Sequence, residues 1–342
     1  MKIAILSRPG PCFPNVISLG LAATLDEIGV KNKIFYDSIP MLMRLLPFSK
    51  KPKRWSNSLQ YRIRNKVSAY VKDQRLLKEL SEYDAIILSE CYPNAFWKNY
   101  FAIEELKRKF KGPVISYTES PLDAAPRNKM RLLDKDDYNE DLYDFNLFVT
   151  DTMEVKKEPG PRQAVFGTNV SHNTTLVPGK KKAFIAIVDF AQPGYESWRE
   201  QQIRVLNKLN IETIILEGRH PIEEMRRIYA EAAVFFLAFP ETFGLPIAEC
   251  LSCGTAVFTP SSAWPMAWRL DEQPVSMGPG ILPDCFHVYD DEVDLEKRLA
   301  AFIESYDLQK TSLAVFNSFS THYNRFYAGD KQALEYLLRQ LQ

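Results

Sequence analysis

Short apolar runs alternate with longer segments of helical periodicity along most of the chain. In the first half the runs are apolar enough for strands, and the segments between them repeat apolar residues every three to four positions. Strands are predicted at 3–6, 85–88, 114–117 and 146–149, and helices at 15–28 and 94–110. Strands separated by helices indicate parallel βαβ units.

The same alternation restarts after a polar stretch at 167–182, which contains Pro-Gly and three consecutive lysines. Strands are predicted at 184–188, 213–216, 233–238 and 256–259, and helices at 195–209, 222–231 and from Pro246 onward. We therefore expect an N-terminal domain at 1–166, a hinge or linker at 167–182 and a second domain at 183–320. The C-terminal helices, 321–342, dock on either half, and crossing back to the first domain is one alternative.

The predicted fold class is α/β, with two Rossmann-like, doubly wound domains facing a cleft. Ligands on such sheets bind at the carboxyl ends of the strands, and a cleft between two halves faces both sets of strand ends. Candidate ligand-binding residues are therefore sought directly after strands.

Composition is that of a soluble globular protein, with 46% hydrophobic and 25% charged residues and a net charge of zero. The balanced charge argues against a nucleic-acid partner. We see no signal peptide and no apolar run long enough for a membrane span. Five scattered cysteines indicate a reducing compartment. The expected location is the cytoplasm, with attachment to the inner face of a membrane as an alternative.

One segment departs from the balanced charge. Residues 41–80 contain eleven Lys or Arg against two Asp or Glu, interleaved with leucines and aromatic residues. We interpret it as a basic insertion in the first domain. It could contact an anionic membrane peripherally or bind a polyanion. The alternative is that it forms only a solvated helical insertion with basic faces.

The stretch PETFGLPIAECLSCGTAVF, from Pro240 to Phe258, places Glu241 and Glu249 eight residues apart. Pro240 ends a run that suits a central strand, so Glu241 lies just past the carboxyl end of that strand. A Thr-Phe-Gly turn leads into a helix whose free N–H groups and dipole favour an anion such as a diphosphate. Glu249, one turn into the helix, needs hydrogen-bond donors, which ribose hydroxyls would supply. The alternative is a surface turn with two exposed carboxylates.

The spacing Glu-x-Phe-Gly, four residues, Glu, four residues, Gly resembles the signature of retaining GT-B glycosyltransferases, in particular those of family four. Residues 249–257 are similar to that family's usual Glu-Ala-x-Ala-x-Gly-x-Pro-Val, and residues 166–169 resemble the segment before its interdomain hinge. The resemblance is carried mainly by residues 220–260 and is only architectural over 1–150.

This resemblance implies a set of site residues. Glu241 would contact hydroxyls of the transferred sugar, and Glu249 would bind the ribose of the nucleotide. The other implied donor-binding residues are Thr242, Phe243, Gly244 and Leu245 for sugar and phosphate, Gly10 for the diphosphate, and Gly218 and Arg219 for the base. No metal or cofactor is required in this architecture, so the pairs at 136–137 and 290–291 are interpreted as solvated acids.

The chain departs from the family pattern in three places. The usual Gly-Arg and following lysine, which neutralise the leaving diphosphate, are replaced by Asp189 and Phe190. Arg199 is the nearest candidate for the phosphate-clamping base, with Arg204 or a residue of the first half as alternatives. The other two departures are a first half without histidine and a second half one βα unit short of the usual pattern.

The family often places a histidine after a strand of the first half, near the reacting centre, and in this chain a carboxylate occupies the comparable position. Glu119 follows the strand at 114–117 and is our candidate for orienting or deprotonating the acceptor, with Glu90 as the alternative.

The sequence thus predicts a nucleotide-sugar-dependent glycosyltransferase that moves a sugar to a hydroxyl acceptor, such as a glycan or a lipid-linked saccharide. Retention of anomeric configuration is implied by the resemblance alone. Two alternatives stay open. One is a non-catalytic protein of the same fold that binds nucleotide-sugars or glycans, and the other is a glycosyltransferase acting on modified DNA bases.

Overall fold

The computed structural model describes residues 1–7, 10, 12–36, 75–89, 103–119, 143–151, 160–179, 181–218, 220–271 and 279–342. The chain divides into two compact units. The first contains the described residues of Met1–Asp151, Lys157–Gly167 and Asp330–Gln342, and the second contains those of Thr168–Gly329. Most of the basic insertion predicted at 41–80, up to residue 74, lies outside the described residues.

The first unit is built on a six-stranded parallel sheet with the order β2-β1-β3-β4-β5-β6. Its strands are β1 (Lys2–Ser7), β2 (Lys31–Tyr36), β3 (Ala85–Ser89), β4 (Val114–Thr118), β5 (Phe145–Phe148) and β6 (Gln163–Val165), and its helices include α1 (Phe13–Glu27) and α2 (Ile103–Lys109). Every residue of β3 and β4 is buried, as expected for inner parallel strands with continuous apolar sequence.

The second unit contains a five-stranded parallel sheet with the order β11-β10-β9-β7-β8. Its strands are β7 (Ile185–Val188), β8 (Glu212–Ile215), β9 (Val234–Phe236), β10 (Ala256–Thr259) and β11 (Phe286–Val288). Its helices are α3 (Glu196–Lys208), α4 (Ile222–Glu231), α5 (Leu245–Ser252), α6 (Glu292–Ser305), α7 (Lys310–His322) and α8 (Asn324–Tyr327). Two parallel sheets with crossover helices confirm the predicted α/β class with Rossmann-like domains.

The polar stretch at 167–182, expected to be a hinge or linker, is largely packed into the second unit. Thr168, Asn169 and Leu176 are buried there. Lys181 is buried as well. Its Nζ donates to the carbonyl of Cys253 at 3.0 Å and to Oγ1 of Thr255 at 2.9 Å, and these hydrogen bonds offset the cost of its burial. Part of the polar character of this stretch is therefore engaged in hydrogen bonds within the second unit.

The last helix, α9 (Lys331–Gln340), belongs to the first unit. Leu334 and Leu337 are fully buried, and Lys331 pairs with Glu27 of α1 at 2.8 Å. The hydroxyl of Tyr336 donates to the carbonyl of Pro161 at 2.7 Å. Of the two docking alternatives for this helix, the structure shows the return to the first unit.

Within the described part of the chain, none of the helices has both the length and the apolar character needed to cross a bilayer.

Candidate active site

The second sheet has a topological switch point between β7 and β9. These strands are neighbours, but the chain leaves β7 towards β8 on one side and β9 towards β10 on the other. Such a point leaves a crevice at the carboxyl ends of the two strands, where open α/β sheets bind ligands. Asp189 and Phe190 follow β7, and residues 237–245 follow β9. We call these residues the switch-point site.

Two aromatic rings join the strand ends at this site. Phe190 follows β7 and is 45% exposed, while Phe239 follows β9 and is buried. Their ring centroids lie 5.1 Å apart. The two segments are therefore in direct contact, and Phe190 stays partly exposed.

The turn that carries Glu241 is fixed by buried contacts with residues 267 and 268. The ring of Phe243 stacks on Trp268 with a centroid distance of 5.6 Å, and the indole N–H of Trp268 donates to the carbonyl of Phe243. The carbonyl of Thr242, another buried residue, accepts from the N–H of Ala267 at 2.9 Å. Glu241 itself is only half-buried. Packing thus fixes the turn and leaves its carboxylate near the surface.

Gly244 gives this turn its shape. Its φ of +67° lies in the left-handed region, and a Cβ here would stand 2.9 Å from Cδ1 of Ile247 and 3.3 Å from Cβ of Glu241. The left-handed backbone favours glycine, and a Cβ would also crowd these two side chains. The turn can therefore be this tight only with glycine at the position that caps α5.

The start of α5 presents hydrogen-bond donors. The carbonyl of Gly244 accepts from the N–H of Ile247 at 2.9 Å, which closes the first turn, and a proline lies at the second helical position. Within the part of the chain that the structure describes, the N–H groups of Gly244 and Leu245 make no hydrogen bond. Together with the helix dipole, these groups favour an anionic ligand.

Glu249 is buried in an ion pair. Only 6% of its side chain is exposed, and Nε of Arg226 on α4 lies 3.3 Å from its Oε1. Burial raises the pKa of Glu249, whereas the Arg226 guanidinium lowers it. The alternative of two exposed carboxylates does not hold at this position. Sequence reasoning missed Arg226, because helical periodicity does not reveal a partner 23 residues away.

Asp189 is a second carboxyl group that sequence reasoning did not select. It is 3% exposed, and its Oδ1 accepts from the N–H of Phe190 at 2.9 Å. Burial raises the pKa of Asp189 to about 7, although the Phe190 N–H and the charge of Arg199 oppose this rise. The available signal was an acidic residue directly after an apolar strand, a position that often carries chemistry in such sheets.

Arg199, the predicted phosphate clamp, lies at the carboxyl edge of the same sheet. Its Nε donates to the carbonyl of Asp189 at 3.0 Å, and its Nη2 donates to the carbonyl of Leu216 at 3.1 Å. Part of its donor set therefore joins the ends of β7 and β8. Arg204, the alternative, instead forms two hydrogen bonds to the carboxylate of Glu292 on α6, at 3.1 and 2.7 Å.

The remaining predicted residues also follow strands. Gly10 comes after β1, with a φ of +93°, and its carbonyl accepts from Nδ2 of Asn15 at 2.9 Å. Glu119 comes directly after β4 and is half-buried. Gly218 comes after β8, is exposed and has a φ of +71°. Arg219 and Glu90 lie outside the described residues.

Comparison with known proteins rests on structure. No model of a protein family matches the chain. No curated protein sequence matches it.

Three solved structures are similar over 100% of this chain and 99% of their own. They are the pneumococcal O-GlcNAc transferase GtfA in complex with UDP and GlcNAc (9% identity, TM-score 0.56), an alpha-glucosyltransferase in complex with UDP and a 13-mer DNA containing a central A:G mismatch (12%, 0.55), and alpha-glucosyltransferase (AGT) in complex with UDP (11%, 0.54). At such low identity the similarity establishes the fold alone, which is that of GT-B glycosyltransferases with two Rossmann-like domains.

Proposed function

We propose that this chain is a glycosyltransferase that moves a sugar from a nucleotide-sugar donor to a hydroxyl acceptor. The observation that carries the proposal is the turn at Glu241–Gly244, where a half-buried carboxylate adjoins two helix N–H groups without a partner in the described chain. All three similar structures are complexes with UDP, which supports a nucleoside diphosphate as the donor's carrier.

Each part of the turn has a role in this proposal. Glu241 accepts hydrogen bonds from hydroxyls of the transferred sugar. The N–H groups of Gly244 and Leu245 bind an anionic oxygen and stabilise the charge of the departing diphosphate, with Thr242 and Phe243 in the same loop. Gly10 is the proposed contact to the diphosphate, and Gly218 and Arg219 are the proposed contacts to the base, as the resemblance implies.

Glu249 remains the proposed ribose ligand. Arg226 contacts its Oε1, and Oε2 makes no hydrogen bond among the described residues. That second oxygen is suited to accept from vicinal hydroxyls, while Arg226 favours the charged form of the carboxyl.

Chemistry at this site requires little from acids and bases. In the retaining mechanism that the resemblance implies, the donor phosphate helps to take the acceptor proton, and the protein positions the reactants. Glu119 is the proposed group that orients or deprotonates the acceptor. Arg199 is the proposed clamp on the diphosphate, and we expect no metal requirement.

A second candidate is a nucleotide-sugar-binding protein without transferase activity. Arg199 favours it, because two of its N–H groups are already bound to backbone carbonyls rather than free for phosphate. Hydrolysis or transfer of the donor's sugar distinguishes the two candidates.

The test is a thermal-shift screen with UDP, GDP, ADP, CMP and their sugar conjugates. A ligand that binds only the folded state raises the midpoint. We expect one nucleotide to raise the midpoint. We expect Glu241→Gln to weaken binding of the sugar conjugate more than binding of the free nucleotide. Glu304→Gln, the same change at an exposed position of α6, is the control. If no nucleotide shifts the wild type at millimolar concentration, the proposal fails.

A further inference from the structure

A cavity lies in the second unit, between α4 and the stretch that enters β7. Its volume is about 680 Å³, which is within the range of small-molecule sites. Lys181 and Lys182 line it just before β7, and Glu231 lines it at the end of α4. These three residues lie near the amino ends of the strands, whereas the switch-point site lies at the carboxyl ends. We call it the α4 cavity.

The α4 cavity has more positive than negative side chains. Four cations line it, with two carboxylates, Glu223 and Glu231. Two of the four are accessible. Lys182 is exposed and forms no ion pair within the described chain, and Arg227 forms only an exposed pair with Glu231, one helical turn away at 3.0 Å. Such surface pairs are weak, so both cations are available to a ligand.

Two buried donors at this cavity lack a partner in the described chain. They are Nη2 of Arg226, on α4, and Nδ2 of Asn173, in the stretch before β7. Oδ1 of Asn173 accepts from both the N–H and the hydroxyl of Thr175, at 3.1 and 2.8 Å, so the amide nitrogen is the end left over. Because buried donors are almost always hydrogen-bonded in native proteins, an acceptor is expected here.

We propose that the α4 cavity binds a small phosphate ester, such as a sugar phosphate. An anion with several oxygens can contact several donors at once. Lys182 and Arg227 are donors at the surface, and the Asn173 amide and the Arg226 guanidinium are buried donors. Glu223 and Glu231 accept hydrogen bonds from hydroxyls and repel additional phosphates. That combination selects a singly phosphorylated polyol over a polyphosphate or a nucleic acid.

The test is isothermal titration of the full chain at constant ionic strength with glucose 6-phosphate, glucose and inorganic phosphate. We expect glucose 6-phosphate to bind more tightly than inorganic phosphate, and glucose not to bind. The double variant Lys182→Glu/Arg227→Glu removes two charge-assisted contacts and should weaken glucose 6-phosphate about tenfold or more.

The control makes the same change elsewhere. Lys297→Glu/Arg298→Glu reverses an exposed lysine and an arginine that also pairs across one helical turn, with Asp294 on α6. It should leave the affinity unchanged. The inference is overturned if the wild type does not bind at millimolar concentration, or if both double variants lose affinity equally.

A third variant separates this inference from the proposed function. Glu241→Gln changes the switch-point site and should leave the affinity for glucose 6-phosphate intact. If it weakens that affinity, the ester occupies the switch-point site and the α4 cavity is not its site. The nucleotide screen is independent of either result.

Discussion

Two buried carboxyl groups in the second unit have different surroundings. Glu249 has a guanidinium partner, whereas Asp189 relies on one backbone N–H, and the side chain of Arg199 beside it donates to carbonyls. A buried carboxylate without a direct charge partner is held largely protonated. Asp189 should therefore change the stability of the protein with pH.

The prediction concerns Asp189→Asn between pH 5 and pH 8. The folded pKa of Asp189, about 7, exceeds its ordinary value of 3.8, so its stabilising contribution is complete below pH 4 and is lost as pH rises through 7. The free energy of unfolding of the wild type should fall by about 2–3 kcal/mol more than that of the variant over this range. Chemical denaturation measures it, with Asp290→Asn at an exposed position as control. Parallel pH profiles for wild type and Asp189→Asn would contradict the prediction.

At the scale of the elements, the end of α5 packs closely against α7. Gly254 has a φ of +70°, and a Cβ built on it would overlap the carbonyl oxygen of Ser312 on α7. The side chain of Ser312 also donates to the carbonyl of Cys253 at 3.3 Å. Helices α5 and α7 therefore meet backbone to backbone, and this contact supports the helix that carries Glu249.

Gly254→Ala should destabilise the protein by about 2–4 kcal/mol, because the new methyl group forces α7 away and the backbone stays left-handed. Gly194→Ala is the matched control, since Gly194 also has a positive φ, +93°, but nothing lies within 4 Å of its Cβ position. It should cost only about 1–2 kcal/mol, the backbone term. Equal losses in chemical denaturation would show that packing against α7 contributes nothing.

The sequence predicted elements well where an apolar run is bounded by prolines or glycines. The run at 233–238, with Pro240 and Pro246, predicted β9, the turn after it and the start of α5, each boundary to within two residues. Sequence reasoning missed β2 (Lys31–Tyr36). This strand lies at the edge of the sheet, and its alternating lysines are typical of an exposed segment rather than of a buried strand. Sequence reasoning also missed the pair of Glu249 with Arg226, because the pair depends on how two helices rotate against each other.

At the scale of the whole molecule, the first unit is not continuous in sequence. Its sheet comes from the first half of the chain, but α9 packs beside β6 and joins it from the far end. The ring of Tyr336 lies 5.9 Å from that of Phe145 on β5, with the planes inclined. The polar stretch before β7 shows the same limit, since sequence order does not show which distant residues a segment will contact.

Leu337→Ala should lower the stability of the first unit by about 2–4 kcal/mol, because it opens a cavity under a fully buried side chain. Hydrogen exchange measures the effect unit by unit. Exchange should accelerate in β1, β5 and β6 and stay unchanged in β9 and β10. Leu313→Ala, at a leucine that is 51% exposed on α7, is the control and should change neither set. Acceleration confined to the second unit would contradict the assignment of α9.

This arrangement affects folding during synthesis. The ribosome makes all of Thr168–Gly329 before it makes α9. Synthesis of that segment takes roughly ten to thirty seconds at about 5–20 residues per second. Throughout that interval the nascent first unit exposes the apolar surface that Leu334 and Leu337 later cover. The second unit can reach its native state first, so the order of completion is the reverse of the order of translation. A chaperone that shields the nascent chain would act on the earlier-made sheet.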